Sequence, residues 1–256
     1  MAQIELRNVR AAYPVIVSST QRSAFAMAAK SMSFGRLGGG SSSHTQYVLA
    51  LNDLSLELKN GQRVGIMGRN GSGKSTLLRL IAGILPPSAG VRRVTGSLGC
   101  VLAGGSGMDA DKTGRQNMKL IAQLHGLSGR SLDLALEEAV EFCELGPYID
   151  LPVRTYSSGM LGRLAYAIAT ANKAEIMLID EVIGAGDGQF IHKAVERARE
   201  ICRRSGISIV ASHSDTILRG FSDMGIWMDS GEIKAVGPID DIIAIYTQFL
   251  ISINEI

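Results

Sequence analysis

The segment Gly68-Arg-Asn-Gly-Ser-Gly-Lys-Ser75 constrains this 256-residue chain more than any other. It matches G-x-x-x-x-G-K-[ST], follows the short apolar run Val64–Met67 and leads into a helical pattern over Lys74–Leu85, stopped by Pro86-Pro87. A strand, a glycine-rich turn and a helix in that order make an anion cradle. The glycines let backbone N–H groups close on phosphate oxygens, and the helix start adds its positive dipole end. Gly68, Arg69, Asn70, Gly71, Ser72, Gly73, Lys74, Ser75 and Thr76 are therefore the expected nucleotide-binding residues. Lys74 is expected to reach the β and γ phosphates, and the Ser75 hydroxyl to ligate Mg²⁺. The alternative is a chance glycine-rich turn, and the flanking strand and helix weigh against it.

A second segment gives the cradle its chemistry. Ile176-Met-Leu-Ile-Asp180-Glu181 reads as a buried parallel strand ending in two carboxylates. Asp180 is expected to hold Mg²⁺ through water from the sheet edge beside the phosphate loop, and Glu181 to polarise the attacking water as general base. Without the phosphate loop, a strand ending in solvated acids would be the simpler reading. The next apolar strand, Ile207–Ala211, runs on to His213. A histidine at a strand end is ordinarily a satisfied polar residue. Here its strand is expected to emerge at the same sheet edge, where the imidazole could bond the γ-phosphate. Lys74, Glu181 and His213 are thus the expected catalytic set.

Composition excludes several classes. The formal net charge is only +2, which argues against a nucleic-acid binder with a broad basic face. Cys100, Cys143 and Cys202 are odd in number and lack CxxC spacing, so reduced core thiols are expected. No run of 18 or more apolar residues occurs, and the N-terminus is charged from Glu5 onward. Neither a secretory signal nor an anchor is expected, so action at a membrane would need a partner that crosses it.

Along the chain, alternating Ile4, Leu6 and Val9 suggest an opening strand. A Ser/Gly-rich insertion is expected from about 14 to 46, partly helical around 24–30 and mobile near GGGSSS at 38–43. Leu54, Leu56 and Leu58 alternate again. Helices are expected over Ser131–Leu145, Arg163–Ala171, Ile191–Arg204 and about 239–250, with a hairpin turning at Asp229-Ser230-Gly231. Strands separated by helical patterns imply an α/β fold.

Tyr156-Ser-Ser-Gly-Met160 begins 24 residues before Asp180 and leads into an Ala-rich helix. By itself it is a polar helix cap, with Ser157 or Ser158 at the N-cap. In this position it resembles the signature of ABC-transporter ATPases, usually LSGGQ, with Ser157 and Gly159 kept and Tyr156, Ser158 and Met160 departing. Gly68–Thr76, Ser157–Gly159, Asp180-Glu181, Asp187 and His213 follow the order of that family's motifs, and Asp187 takes the D-loop place. The resemblance implies a P-loop NTPase core of mostly parallel strands, with an N-terminal antiparallel β portion and a small helical subdomain at about 113–170, in one domain over 1–256. It also implies ATP and Mg²⁺ as ligands. It implies a head-to-tail dimer with a second copy, in which Ser157, Ser158 and Gly159 complete the partner's γ-phosphate site, and a peripheral place on the cytoplasmic face of the inner membrane through an integral-membrane permease partner. Tyr13 is the implied adenine-stacking aromatic, with Tyr47 as the competitor and a plain edge-strand tyrosine as the bland alternative.

The finer resemblance is to ATP-binding subunits of polysaccharide exporters for O-antigen, capsule and related polymers. It rests on the YSSGM form, on Thr113-Gly-Arg-Gln-Asn117, on Asp180-Glu-Val-Ile-Gly-Ala-Gly-Asp187 and on the long insertion after Tyr13-Pro14. The C-terminal carbohydrate-binding domain of some members is not expected. One departure is clear: no Gln occurs between Val91 and Arg115, where the family usually places the residue that senses Mg²⁺ and permease. Asp109 and Asp111 are the nearest acids, and the glycines of 103–107 suggest a hinge. Competing readings are an importer subunit, opposed by the signature form and the absent Gln, and a nucleic-acid or ribosome-associated ABC ATPase, opposed by the single motif set and near-neutral charge. A P-loop kinase or GTPase has no use for the segment at Ser157.

Overall fold

The computed structural model describes residues 1–16, 37–38, 45–102, 107–124, 126–171, 174–181 and 188–253. Two sheets organise them. In the first, β1 (Gln3–Ile16) lies between β3 (Thr45–Lys59) and β5 (Ala89–Thr95), all antiparallel, with β2 (Leu37–Gly38) outside β3. The second has the order β10-β9-β4-β8-β7-β6. Within it, β4 (Arg63–Met67), β6 (Leu98–Val101), β7 (Ile176–Asp180), β8 (Ile207–Ala211) and β9 (Met224–Asp229) are parallel, and β10 (Glu232–Pro238) is an antiparallel edge. β7 and β8 are buried at every position. Their unbroken apolar runs are what a strand covered on both faces requires.

The helices are α1 (Lys74–Ala82), α2 (Gly114–Leu124), α3 (Gly129–Cys143), α4 (Ser158–Thr170), α5 (Gly188–Arg204), α6 (Asp215–Phe221) and α7 (Ile239–Ser252). One core joins the two sheets to α1 through Leu6, Leu58, Ile66, Leu77, Leu178 and Ile209. The opposite face of the parallel sheet, at Met177 and Val210, packs on Phe142, Leu164 and Phe190. Each such fully buried side chain contributes about 1.5–3 kcal/mol. The α/β expectation, with its antiparallel N-terminal portion and mostly parallel sheet, is what the chain forms.

Several boundaries differ from the expected ones. β1 runs through Pro14 to Ile16 and β3 begins at Thr45, so both ends of the predicted insertion are strand. Pro14 is tolerated because β5 pairs with β1 only as far as Arg10, and beyond that β3 is the one strand paired with β1 among the described residues. The predicted helix at 24–30 and the glycine run 39–43 lie outside the described residues. α1 stops at Ala82, not Leu85, because Gly83 takes the left-handed conformation (φ 79°) and donates to the carbonyls of Arg79 and Leu80. Arg92 on β5 covers the same helix end, donating to the carbonyls of Leu80 (2.7 Å) and Ile81 (2.5 Å). α4 begins at Ser158, five residues before the expected Arg163.

Candidate functional site

The glycine-rich loop leaves β4 at a point where a side chain has no room. A Cβ on Gly68 would stand 2.2 Å from the Met228 carbonyl oxygen and 2.6 Å from Ser72 Oγ. Gly73, the N-cap of α1, is left-handed (φ 104°), and a Cβ there would meet the Ala50 carbonyl oxygen at 2.9 Å. The loop closes through the Ser72 amide, which donates to Arg69 O at 3.1 Å. Arg69 and Ser75 are half-buried, Asn70 and Gly71 exposed, and Ser72 and Thr76 buried. The Lys74 ammonium donates to the carbonyls of Gly68 (2.6 Å) and Arg69 (3.0 Å), so the loop folds around it. Burial pulls the Lys74 pKa below the usual lysine value, opposed by the charges of Glu181 and then Asp180.

A support for this loop escaped the sequence. The β9–β10 turn holds Ser230 (φ 50°) and Gly231 (φ 80°), both left-handed, as a tight hairpin of the I′ type demands. The Gly231 amide donates to Ser72 O and its carbonyl accepts from the Asn52 amide, each at 3.0 Å. The hairpin thus ties the phosphate loop to β3. Its turn was visible in Asp229-Ser230-Gly231, but its partner was not.

The sheet order places β4, β8 and β7 side by side, so the groups that follow them share one edge. Asp180 is buried at the end of β7. Glu181 follows it in the left-handed region (φ 56°), with its amide donating to Ala211 O at 2.9 Å. A non-glycine residue held there costs about 1–3 kcal/mol, a strain characteristic of functional positions. His213 Nε2 stands 3.4 Å from Glu181 Oε1. Burial first, and the Lys74 charge second, pull the His213 pKa below its ordinary value, while Glu181 and Asp180 oppose them.

Because the folded pKa lies below the unfolded one, the neutral imidazole is the form the fold favours. Its contribution to stability is complete above the unfolded value of about 6.5 and is lost as pH falls below that value. An NMR titration of His213 in the nucleotide-free chain should give a midpoint below about 6.5. Mg·ATP should raise the midpoint, because phosphate charge stabilises imidazolium. A free-chain midpoint above that value would contradict the burial argument.

Ser157 is the N-cap of α4, its hydroxyl accepting from the Met160 amide at 3.3 Å. Ser157 and Ser158 are exposed, and among the described residues a Cβ on Gly159 would meet only Ser157 Oγ, so this helix end has room for a partner. Tyr156 points the other way: it is buried and its hydroxyl donates to Tyr148 O at 2.6 Å.

Thr113–Asn117 packs against that tyrosine, and each residue has a separate task. The Thr113 hydroxyl accepts from the Gln116 amide (3.2 Å) while Gln116 Oε1 accepts from the Thr113 amide (2.9 Å), a reciprocal cap at the start of α2. Arg115 grips Asp150 with two nitrogens, at 2.8 and 3.1 Å. Asn117 is fully buried, accepts from the Asp109 amide (2.8 Å) and donates to the carbonyls of Asp109 (2.9 Å) and Thr113 (3.0 Å). Gly114 makes room, since a Cβ there would meet Tyr156 Oη at 2.6 Å and Ile149 Cδ1 at 2.8 Å. Gly114→Ala should therefore destabilise the chain by about 1–3 kcal/mol. Tyr156→Phe alone should cost about 1 kcal/mol for the lost hydrogen bond. The double variant should be more stable than the sum predicts, by about 0.5 kcal/mol or more in denaturant melts. Strict additivity would mean that the two positions do not compete for space.

Asp109 is held within its own loop. It accepts from the Asp111 amide at 3.0 Å and pairs with Lys112, whose contact holds its carboxyl below the usual range. Asp111 pairs with Arg154. Tyr13 lies on β1 opposite Val48, half-buried, and Tyr47 on β3 opposite Pro14, exposed. Both belong to the hairpin whose β3 arm touches Gly73 through Ala50. Residues 103–106 and Asp187 lie outside the described residues. Among the described residues no helix is long and apolar enough to cross a membrane.

Comparison with known proteins sets this arrangement in a family. The profile described as "ABC transporter" matches residues 51–184. The chain is 42% identical over 219 residues to the O-antigen export system ATP-binding protein RfbE of Yersinia enterocolitica, covering 86% of this chain and 91% of that one. It is 36% identical over 200 residues to RfbB of Klebsiella pneumoniae, covering 78% of this chain and 81% of that one. It is 34% identical to the teichoic acids export ATP-binding protein TagH of Lactococcus lactis, of which it spans 45%. Among solved structures, a dimeric ATP-binding cassette in a post-hydrolysis state, bound to ADP and Pi, matches with a TM-score of 0.69 at 21% identity, over 92% of this chain and 98% of that one.

Proposed function

The chain belongs to the ABC transporter family of ATP-binding subunits, and from that premise we propose that it drives export of a lipid-linked polysaccharide (O-antigen, capsule or a related polymer) across the inner membrane. The observation that carries the ATPase reading is the convergence of Lys74, Asp180, Glu181 and His213 on one sheet edge, with Glu181 and His213 3.4 Å apart. The polymer reading is supported by the likeness to RfbE.

In the proposed reaction the amides of 68–76 and the start of α1 bind the phosphates of ATP. Lys74 exchanges its contacts with the Gly68 and Arg69 carbonyls for phosphate oxygens. Asp180 and Ser75 are oxygen donors, one a buried carboxylate, and suit a hard cation. They would hold Mg²⁺, which when bound neutralises phosphate charge. Glu181 takes a proton from the attacking water as its oxygen bonds the γ-phosphorus and the bond to the β-phosphate oxygen breaks, leaving ADP and phosphate, while His213 donates a hydrogen bond to the γ-phosphate. The exposed α4 start, with Ser157, Ser158 and Gly159, supplies donors and dipole to the nucleotide of a second copy. Tyr13 stacks on adenine.

A groove of about 550 Å³ lined by Gly107, Met108, Val153, Tyr156, Leu161 and Ala165 is mostly apolar and borders the signature helix. It is the proposed seat of the permease, and the proposed location of the chain is the cytoplasmic face of the membrane. The reading is tested by affinity purification from the source cell's membranes, together with deletion of the gene. Recovery of an integral-membrane subunit, and accumulation of lipid-linked polymer inside the deleted cells, are the expected results. Recovery with ribosomes or nucleic acid, and normal polymer at the surface, would refute it.

A further inference from the structure

We infer a second anion site at the opposite end of the parallel sheet, a cleft that takes a small phosphorylated compound. It has a volume of about 530 Å³ and is lined by Arg63, Arg199, Arg203, Arg219, Phe221 and Ser222, with Asp223 beside them. Such a volume suits a ligand of nucleotide size or smaller. None of these residues belongs to the expected nucleotide site.

Three elements bring the arginines together. Arg63 opens β4, whose other end carries the phosphate loop. Arg199 and Arg203 lie on the last turns of α5, and Arg219 on α6. The five residues of β4 separate the two ends by about 13 Å, so the cleft is distinct from the Lys74 site.

The carboxylates nearby leave much of this charge unspent. Arg63 reaches Asp223 only at 3.8 Å and lends one nitrogen to the Arg203 carbonyl at 3.4 Å, while its Nε is buried without a hydrogen-bond partner among the described residues. Arg199 uses one nitrogen on Glu196 at 2.7 Å, and its guanidinium lies 5.6 Å from the centre of the Phe221 ring. Arg219 pairs with Asp240. Neither Glu196 nor Asp240 lines the cleft. The Arg203 side chain makes no hydrogen bond or ion pair among the described residues.

A guanidinium has five donors in a planar fork, so the contacts named leave several free on each arginine. Forks converging on a concave surface match the oxygens of a phosphate, which accepts from two nitrogens of each. A buried donor without a partner carries a desolvation cost that an oxyanion would remove. Phe221 gives the floor an apolar face, so the ligand is expected to have a compact body as well as a phosphate.

The test uses inorganic diphosphate as probe, titrated calorimetrically into the full chain already saturated with Mg·ADP, so that the phosphate loop is blocked. Saturable binding is expected, weakened about tenfold or more by Arg203→Gln. The pair Arg63→Gln and Arg203→Gln should weaken it further, with ADP affinity unchanged. Arg203→Gln alters an exposed side chain and keeps the test valid where the double variant fails to fold. Absence of binding, or binding that ignores Arg203→Gln, would overturn the inference. So would retention on phosphatidylglycerol vesicles, but not phosphatidylcholine ones, with no diphosphate binding, which would make the cleft a lipid contact instead.

Discussion

Glu181→Gln is expected to lower ATP hydrolysis by about 10²-fold or more while leaving ATP binding intact. Gln keeps the size and both hydrogen-bonding ends of the side chain but cannot take a proton from water. The backbone supports the specificity of the effect. Glu181 sits at φ 56° with its amide fixed on Ala211 O, so position 181 aims the same way whichever side chain it holds. Asp180 is set separately, buried at the end of β7, and is untouched by the change. The loss should therefore fall on kcat, with the nucleotide Kd little altered. Because Glu181 is the larger of the two carboxylate influences holding up the His213 pKa, the variant should also lower the His213 midpoint in NMR. Turnover near that of the unmodified chain would remove Glu181 from the role of base. A normal rate with a shifted His213 midpoint would leave it as an electrostatic neighbour only.

The parts of the site built from strand ends were legible in sequence, and those built from contacts between distant segments were not. Val64–Met67, Ile176–Ile179 and Ile207–Ala211 are apolar on both faces, so their burial could be read directly, and with it the place of the glycines, acids and histidine that follow them. β5 escaped because it is a half-exposed edge with Arg92 and Arg93 at its centre. Arg92 is there for the end of α1, a contact no local pattern announces. The end of α1 itself was misplaced, since the proline pair at 86–87 is the louder breaker but Gly83 acts first.

The segment 113–117 shows the same division more sharply. Its resemblance to an exporter motif could be noted from letters alone. Its physics needed two partners far along the chain, Asp150 for Arg115 and Tyr156 for Gly114, and one in the preceding loop, the Asp109 backbone for Asn117. Gly114 and Tyr156 are complementary, since the hydroxyl that Tyr156 places against Tyr148 O occupies the space a side chain at 114 would need. The tyrosine form of the signature and the glycine of the TGRQN segment are thus one packing solution read at two places. Next to this packing, the Asp109 carboxyl is engaged by the Asp111 amide and Lys112, and its backbone amide by Asn117.

Ser157→Arg should abolish ATP-driven dimerisation. In the Glu181→Gln background, where bound ATP is not consumed, light scattering should show the chain passing from monomer to dimer as ATP is added. The added Ser157→Arg should hold it as monomer. The Ser157 hydroxyl caps α4 and lies at its exposed start, where the helix offers its unsatisfied amides and positive dipole end to a neighbouring copy. An arginine there loses the cap, at about 1 kcal/mol, and fills the opening with a chain too long for the seat of a γ-phosphate. The cap loss alone would not prevent assembly, so Ser157→Ala is the control. It should weaken dimerisation but leave it measurable, while melting at nearly the same temperature as Ser157→Arg. Tyr156, buried on the other side of the segment, should keep its contact with Tyr148 in both variants. A dimer that persists in the arginine variant would mean that the α4 start does not close on the nucleotide of the second copy. A monomer in both variants would assign the whole effect to the helix cap.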